Sequence, residues 1–102
     1  MNTISMTKLS ELLTDKGIKN TFEMSGGNCG TIYIGDFDSE GYAEYAVGPS
    51  NYSADEAYFG DFCWGVDGSE VANYFEGSEA DFNEANLANL IFNDFQAIKE
   101  NK

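Results

Sequence analysis

The charge pattern constrains the fold of this chain more than any other feature of its sequence. Between positions 20 and 98 there are fifteen acidic residues and no basic residue. The chain has no arginine or histidine, and its five lysines lie toward the two ends, at Lys8, Lys16, Lys19, Lys99 and Lys102. Salt bridges within this block therefore cannot neutralise it, and its carboxylates must face water, cations or a basic partner.

Composition nevertheless indicates a folded domain. Disordered acidic chains lack the aromatic and β-branched residues that bury surface, whereas this chain is 42% hydrophobic and 15% aromatic. Its 102 residues are enough for one domain with a modest core. We therefore expect a single domain over residues 1–102 with a charged shell, and we expect residues 1–6 to be a disordered N-terminal segment.

Two segments have the pattern of helices. In residues 7–16, Leu9, Leu12 and Leu13 share one face, and Gly17 follows where a helix commonly ends. Near the C-terminus, Ser78 is a suitable N-cap, and acidic residues follow it in the first turns. Apolar residues then recur at helical spacing, at Leu87, Ala88, Leu90, Ile91, Phe95 and Ile98.

The region between the two helices has the pattern of strands. Segments 21–25, 30–37 and 42–47 are joined by turn signals at 26–28 and 38–41, which predicts an antiparallel meander. Residues 57–66 predict a fourth strand. Residues 71–75 predict either a short helix or a fifth strand. The expected fold class is α+β, with a small antiparallel sheet of three to five strands and an N-terminal and a C-terminal helix packed on one side of it.

The residue types present exclude several functions. Direct binding to nucleic acid needs Lys and Arg to neutralise phosphates, and this chain has no such patch. Without His, a Ser or Cys nucleophile lacks its commonest activating base, so we expect no catalytic site, no enzymatic activity and no cofactor. No stretch approaches the ~20 apolar residues of a membrane span, and anionic membranes would repel the chain. The expected compartment is the cytoplasm.

One acidic segment has a partial resemblance to a calcium loop. Asp36, Asp38 and Glu40 supply oxygen ligands at positions 1, 3 and 5, and Gly41 follows at position 6. Position 12 is Val47, where such a loop requires a bidentate Glu. We therefore interpret the segment as an acidic hairpin turn without a dedicated metal site, and weak divalent-cation binding stays open as an alternative.

Three explanations compete for the acidic block as a whole. It can be a solvated shell without a partner, an adaptation to a salt-rich cytoplasm, or a surface that imitates nucleic-acid phosphates and docks in a basic groove. A shell that serves only solvation normally mixes both signs of charge, which favours the third explanation. The expected partner-binding residues are Asp36, Asp38, Glu40, Glu44, Asp55, Glu56 and Asp61.

In size, charge, absence of Arg and His and compact α+β pattern, the chain resembles small acidic phage-encoded inhibitors of bacterial defence. These include DNA-mimicking anti-CRISPR and anti-restriction proteins, which share no signature motif. The resemblance implies a non-enzymatic inhibitor that occupies the basic nucleic-acid-binding groove of a CRISPR–Cas effector complex in the bacterial host cytoplasm. The alternative is an acidic protein-binding module outside defence inhibition.

Overall fold

The computed structural model describes residues 3–24, 29–50 and 55–100. Seven strands and two α-helices follow one another in these residues. They are β1 (Thr3–Ser5), α1 (Met6–Asp15), β2 (Asn20–Met24), β3 (Gly30–Phe37), β4 (Ala43–Gly48), β5 (Glu56–Tyr58), β6 (Cys63–Gly65), β7 (Asn73–Tyr74) and α2 (Glu84–Glu100). A 3-10 turn at Glu79–Asp81 precedes α2. The predicted α+β class, with a helix near each end of the chain and a mostly antiparallel sheet, is confirmed.

The strands form two separate sheets. Five strands pair in the order β2-β3-β4-β6-β7, and every neighbouring pair is antiparallel. β1 pairs only with β5, as a two-stranded antiparallel sheet. The register between β3 and β4 shifts between Ile34 and Phe37, where Gly35 has a φ of +80° that L side chains rarely adopt.

Strand alternation divides the five-stranded sheet into two faces. The residues that β3 and β4 turn toward the helices are fully buried or nearly so, and they join one core with both helices. The members of this core from the sheet are Ile32, Ile34, Tyr45, Val47 and Trp64, and those from the helices include Leu9, Leu13, Leu87, Ile91 and Phe95. The opposite face carries half-buried residues such as Thr31, Tyr33 and Ala46. Both helices therefore cover one side of the sheet, as expected from the sequence.

The first half of the chain follows the sequence prediction closely. The helix predicted at 7–16 is α1, and Ser5 caps it by accepting the N–H of Lys8. The predicted meander is confirmed as β2, β3 and β4, with the turn at 38–41. The turn predicted at 26–28 lies outside the described residues. Thr3–Ser5 pair with β5 and Ile4 is buried, so residues 3–6 have regular structure where disorder was expected.

The second half of the chain differs from the sequence prediction. The single strand predicted at 57–66 is wrong, because the N–H of Asp61 donates to the carbonyl of Tyr58 and turns the chain. β5 and β6 consequently lie in different sheets. Residues 71–75 contain the strand β7, which decides between the two alternatives for that segment. Ser78 begins the 3-10 turn, whereas α2 starts later, where the Asn83 side chain accepts the N–H of Asn86.

Candidate functional site: the acidic surface

Four of the seven predicted partner-binding acids lie around the hairpin that joins β3 to β4. Asp36 is at the end of β3, Asp38 and Glu40 are in the turn, and Glu44 is on β4. The turn brings the four together. Strand spacing does not place them in a straight row, because β3 ends at Phe37.

Most carboxylates of this hairpin already have partners within the chain. Asp36 forms an ion pair with Lys19, and both side chains are highly exposed. The hydrogen bond and the charge of Lys19 lower the pKa of Asp36, and those of Asp36 raise the pKa of Lys19. Asp38 Oδ1 accepts the N–H groups of Glu40 and Tyr42, which closes the turn. Asp38 therefore stabilises the turn through hydrogen bonds to its backbone.

Glu44 supports the bulge in the neighbouring strand. Its Oε2 accepts the N–H of Asp36 at 2.9 Å. A Cβ added at Gly35 would overlap the Glu44 side chain, so Gly35 provides both the positive φ and the space that this contact needs. The carboxylate of Glu40 has no hydrogen bond or ion pair within the described part of the chain.

The other three predicted residues lie around β5, the second strand of the smaller sheet: Asp55 comes directly before it, Glu56 is its first residue, and Asp61 is in the turn after it. Asp55 is half-buried, and its carboxylate accepts the N–H of Met6 at 2.8 Å and the hydroxyl of Ser5 at 3.1 Å. Glu56 and Asp61 are exposed and have no side-chain partner among the residues that the structure describes. Of the seven predicted residues, Glu40, Glu56 and Asp61 thus offer carboxylates without a partner among the described residues, whereas the carboxylates of the other four accept hydrogen bonds within the chain.

Three acids that were not predicted as functional residues accept hydrogen bonds from distant parts of the chain. Glu84 accepts the N–H of Ser5 at 2.8 Å, which joins the start of α2 to the start of α1. Asp67 accepts the N–H of Ala43 at 2.9 Å. Asp94 accepts the hydroxyl of Tyr45 and the side-chain amide of Asn73. The acceptors and donors are 21 to 79 residues apart in sequence, so no local pattern could have paired them.

Tyr45 connects the acidic surface to the core. It is fully buried, and its ring packs edge-on against Phe95. Burial, followed by the hydrogen bond to Asp94 and the charge of that carboxylate, raises the pKa of Tyr45 well above its ordinary value. Tyr45 therefore remains a neutral donor at physiological pH, and Asp94 remains fixed at the surface of α2.

Beside Asp94 a groove of ≈ 1010 Å³ runs between β7 and α2. One wall is formed by residues 72–77 and the other by α2, with Trp64 among the lining residues. Glu76, Asp81 and Asp94 contribute carboxylates to the groove. No lysine is among the described residues that line it.

Within residues 3–24, 29–50 and 55–100, no group of three or more His, Cys, Asp or Glu side chains is arranged to hold a metal ion. The two cysteines, Cys29 and Cys63, are half-buried and free of a disulfide, and burial raises the pKa of the Cys63 thiol. Among these residues there is also no helix long and apolar enough to cross a membrane.

No protein-family model matches the chain, and comparisons with curated proteins and with solved structures give no significant match either. The acidic surface has few lysine partners: within the described part of the chain, the ion pair between Lys19 and Asp36 is the only one. The remaining negative charge is balanced by water and counterions in the isolated protein.

Proposed function

We propose that this protein is a non-enzymatic inhibitor that imitates the phosphates of a nucleic acid. Its carboxylates occupy the basic nucleic-acid-binding groove of a bacterial defence complex, with a CRISPR–Cas effector as the favoured target. This function requires the chain to act in the cytoplasm of the bacterial host. The observation that carries the proposal is the unbalanced charge of a folded surface, with a net charge of −13 and one ion pair among the described residues.

A net negative charge of this size affects both the stability of the fold and its association with a basic partner. Uncompensated carboxylates repel one another and destabilise the compact state. The same field attracts a basic groove from a distance and accelerates association with it. Duplex DNA presents about one negative charge per ~1.7 Å of its axis, so a groove that binds DNA is built for a dense array of anions. Glu40, Glu56 and Asp61 can pair with lysine or arginine without first breaking a hydrogen bond to any residue that the structure describes.

A direct competition experiment tests the proposal. A purified guide-loaded CRISPR–Cas effector is incubated with labelled target DNA, and DNA binding is followed by fluorescence anisotropy as the protein is added. We expect displacement of the DNA, with an apparent affinity that falls steeply as salt rises from low to moderate concentration. Separately, immobilised protein is exposed to bacterial lysate and the captured proteins are identified by mass spectrometry. Absence of DNA competition, together with capture of no basic nucleic-acid-binding protein, would contradict the proposal.

Two charge-matched variants locate the contact. The first replaces the three predicted acids that have no partner in the described part of the chain, as Glu40→Gln, Glu56→Gln and Asp61→Asn. The second makes the same change in net charge on exposed helical positions outside the predicted set, as Glu11→Gln, Asp15→Asn and Glu100→Gln. We expect the first variant to lose competition more strongly than the second, since only the first removes predicted contacts. Equal losses would show that total charge, and not these positions, governs binding.

A further inference from the structure

The groove between β7 and α2 begins at an unpaired sheet edge. β7 is the last strand in the order of the five-stranded sheet, so no strand of the described chain lies beside its outer edge. Tyr74 on this strand is 62% exposed and Val71 just before it is 78% exposed. An open edge with exposed apolar side chains is a template for an added strand.

The opposite wall presents side chains suited to an extended backbone. Asn86, Asn89 and Asn93 line the groove at positions i, i+3 and i+7 of α2, and therefore on one face of that helix. Asn89 and Asn93 are exposed, and their side-chain amides have no hydrogen bond with any described residue. An amide side chain can both donate to a carbonyl and accept from an N–H. Leu90, which is 43% exposed, adds an apolar contact between them.

The negative charge of the groove indicates which kind of molecule can bind there. Glu76, Asp81 and Asp94 line it, and its described lining contains no lysine. A second copy of a chain with a net charge of −13 is disfavoured by repulsion, and so is a nucleic acid. A protein segment that carries lysine or arginine side chains complements these carboxylates.

We propose that this groove binds an extended, lysine- or arginine-bearing segment of another protein, which adds as a strand to the outer edge of β7. Asn86 and Ala97 are both lining residues, and the rise of an α-helix separates them by about 16 Å along its axis. At about 3.3 Å per residue, this length accommodates roughly five residues of an extended segment. Such a segment would run beside residues 72–77, of which Asn73 and Tyr74 form β7. The inference rests on the groove alone and does not depend on nucleic-acid mimicry.

A synthetic peptide serves as the probe. It is a fluorescein-labelled seven-residue peptide of alternating lysine and valine, acetylated and amidated at its ends, and its binding is measured by fluorescence anisotropy. Two further peptides have the same charge, and each is N-methylated at the alternate residues along one edge of its backbone. Strand addition uses the hydrogen bonds of only one peptide edge. We therefore expect one N-methylated peptide to bind about tenfold more weakly, and the other to keep its affinity within about threefold.

Two variants of α2 test the location with a matched change of charge. Leu90→Lys introduces a cation inside the groove, whereas Ala85→Lys introduces it at an exposed position of the same helix that does not line the groove. We expect Leu90→Lys to weaken binding of the unmethylated peptide by at least about tenfold and Ala85→Lys to weaken it far less. Circular dichroism checks that both variants keep the helical content of the wild-type protein, and Asn93→Ala provides a second groove variant if Leu90→Lys unfolds.

Four outcomes would overturn the inference. The first is undetectable binding at millimolar peptide, the second is equal binding of the two N-methylated peptides, and the third is an equal loss of binding in the groove and control variants. The fourth is a dimer of this chain in sedimentation that the peptide dissociates, since a second copy would then be the natural occupant. None of these outcomes bears on competition with DNA, so failure here and failure of the proposed inhibitor function are distinguishable.

Discussion

Replacement of Asp55 by alanine should destabilise the fold, although Asp55 is among the acids that the sequence predicts to bind a partner. One oxygen of its carboxylate accepts the N–H of Met6 at 2.8 Å, and the other accepts the hydroxyl of Ser5 at 3.1 Å. Ser5 is the N-cap of α1, and its hydroxyl oxygen accepts the N–H of Lys8 at 3.1 Å. Asp55 therefore fixes the capping hydroxyl and the first N–H group of the helix at once.

The size of the effect follows from what each donor keeps in the variant. The N–H of Met6 also lies 2.7 Å from the backbone carbonyl of Asp55, so it retains an acceptor. The hydroxyl of Ser5 loses a charge-assisted hydrogen bond, of a kind that contributes about 1.5–3 kcal/mol when fully buried. Because Asp55 is only half-buried and the cap itself contributes about 1 kcal/mol, we expect a loss of about 1–2 kcal/mol. For a domain of this size that lowers Tm by roughly 4–16 °C.

Thermal unfolding followed by circular dichroism at 222 nm measures the effect, and the next residue provides the control. Glu56→Ala makes the same change in charge at an exposed position whose carboxylate has no partner among the described residues. Its expected effect on the free energy of unfolding is within about 0.5 kcal/mol. Equal Tm values for Asp55→Ala and Glu56→Ala would refute the assignment of a structural role to Asp55.

Three further outcomes are expected. Burial and Asp94 raise the pKa of Tyr45 in the folded protein. The stability that neutral Tyr45 contributes is therefore fully present below its unfolded-state pKa near 10. Above that pH the free energy of unfolding falls by up to about 1.4 kcal/mol per pH unit. Urea titrations between pH 8 and 11 should show a steeper loss for the wild type than for Tyr45→Phe. Gly35→Ala should reduce the free energy of unfolding by about 1–3 kcal/mol. Its loss should exceed that of Gly41→Ala, where φ is also positive but an added Cβ meets nothing. Finally, Tm should rise between 20 mM and 0.5 M sodium chloride as salt screens self-repulsion, and a fall in Tm would contradict this reading.

The parts of the fold that the sequence predicts correctly are those governed by neighbouring residues. In α1 the leucines at 9 and 13 recur at helical spacing, and they are fully buried in the structure. In β3 the alternation of Ile32 and Ile34 with Thr31 and Tyr33 reproduces the buried and half-buried faces of the strand. Local periodicity and turn residues were sufficient for these elements because each buries one face against a single core.

The elements of the fold that the sequence does not predict depend on pairing with residues far along the chain. Residues 57–66 are continuously rich in aromatic and apolar side chains, which obscured the turn between Tyr58 and Asp61. β1 is only three residues long and becomes a strand because β5, more than fifty residues later, pairs with it. Three residues carry too little periodicity to indicate a strand, so this pairing was not visible in the sequence.

Separation along the sequence also decides which internal hydrogen bonds of the acids can be predicted. The turn role of Asp38 is readable from the sequence, because an Asp at the start of a turn commonly accepts N–H groups of that turn. The roles of Asp55, Asp67 and Glu84 are not, because each accepts a hydrogen bond from an element elsewhere in the chain. A count of carboxylates therefore overstates the number available to a partner.

This division predicts how carboxylates should differ in their effect on binding. Long-range attraction to a basic groove depends on total charge, so every carboxylate contributes to the association rate whether or not it has an internal partner. Pairing at short range depends on an acceptor without an internal hydrogen bond. Among the described residues this favours Glu40, Glu56 and Asp61 over Asp38 and Asp55. Neutralising the first three should change both association and dissociation of a partner. Neutralising the last two should lower stability and slow association, so a loss of inhibition in those variants would not by itself identify a contact.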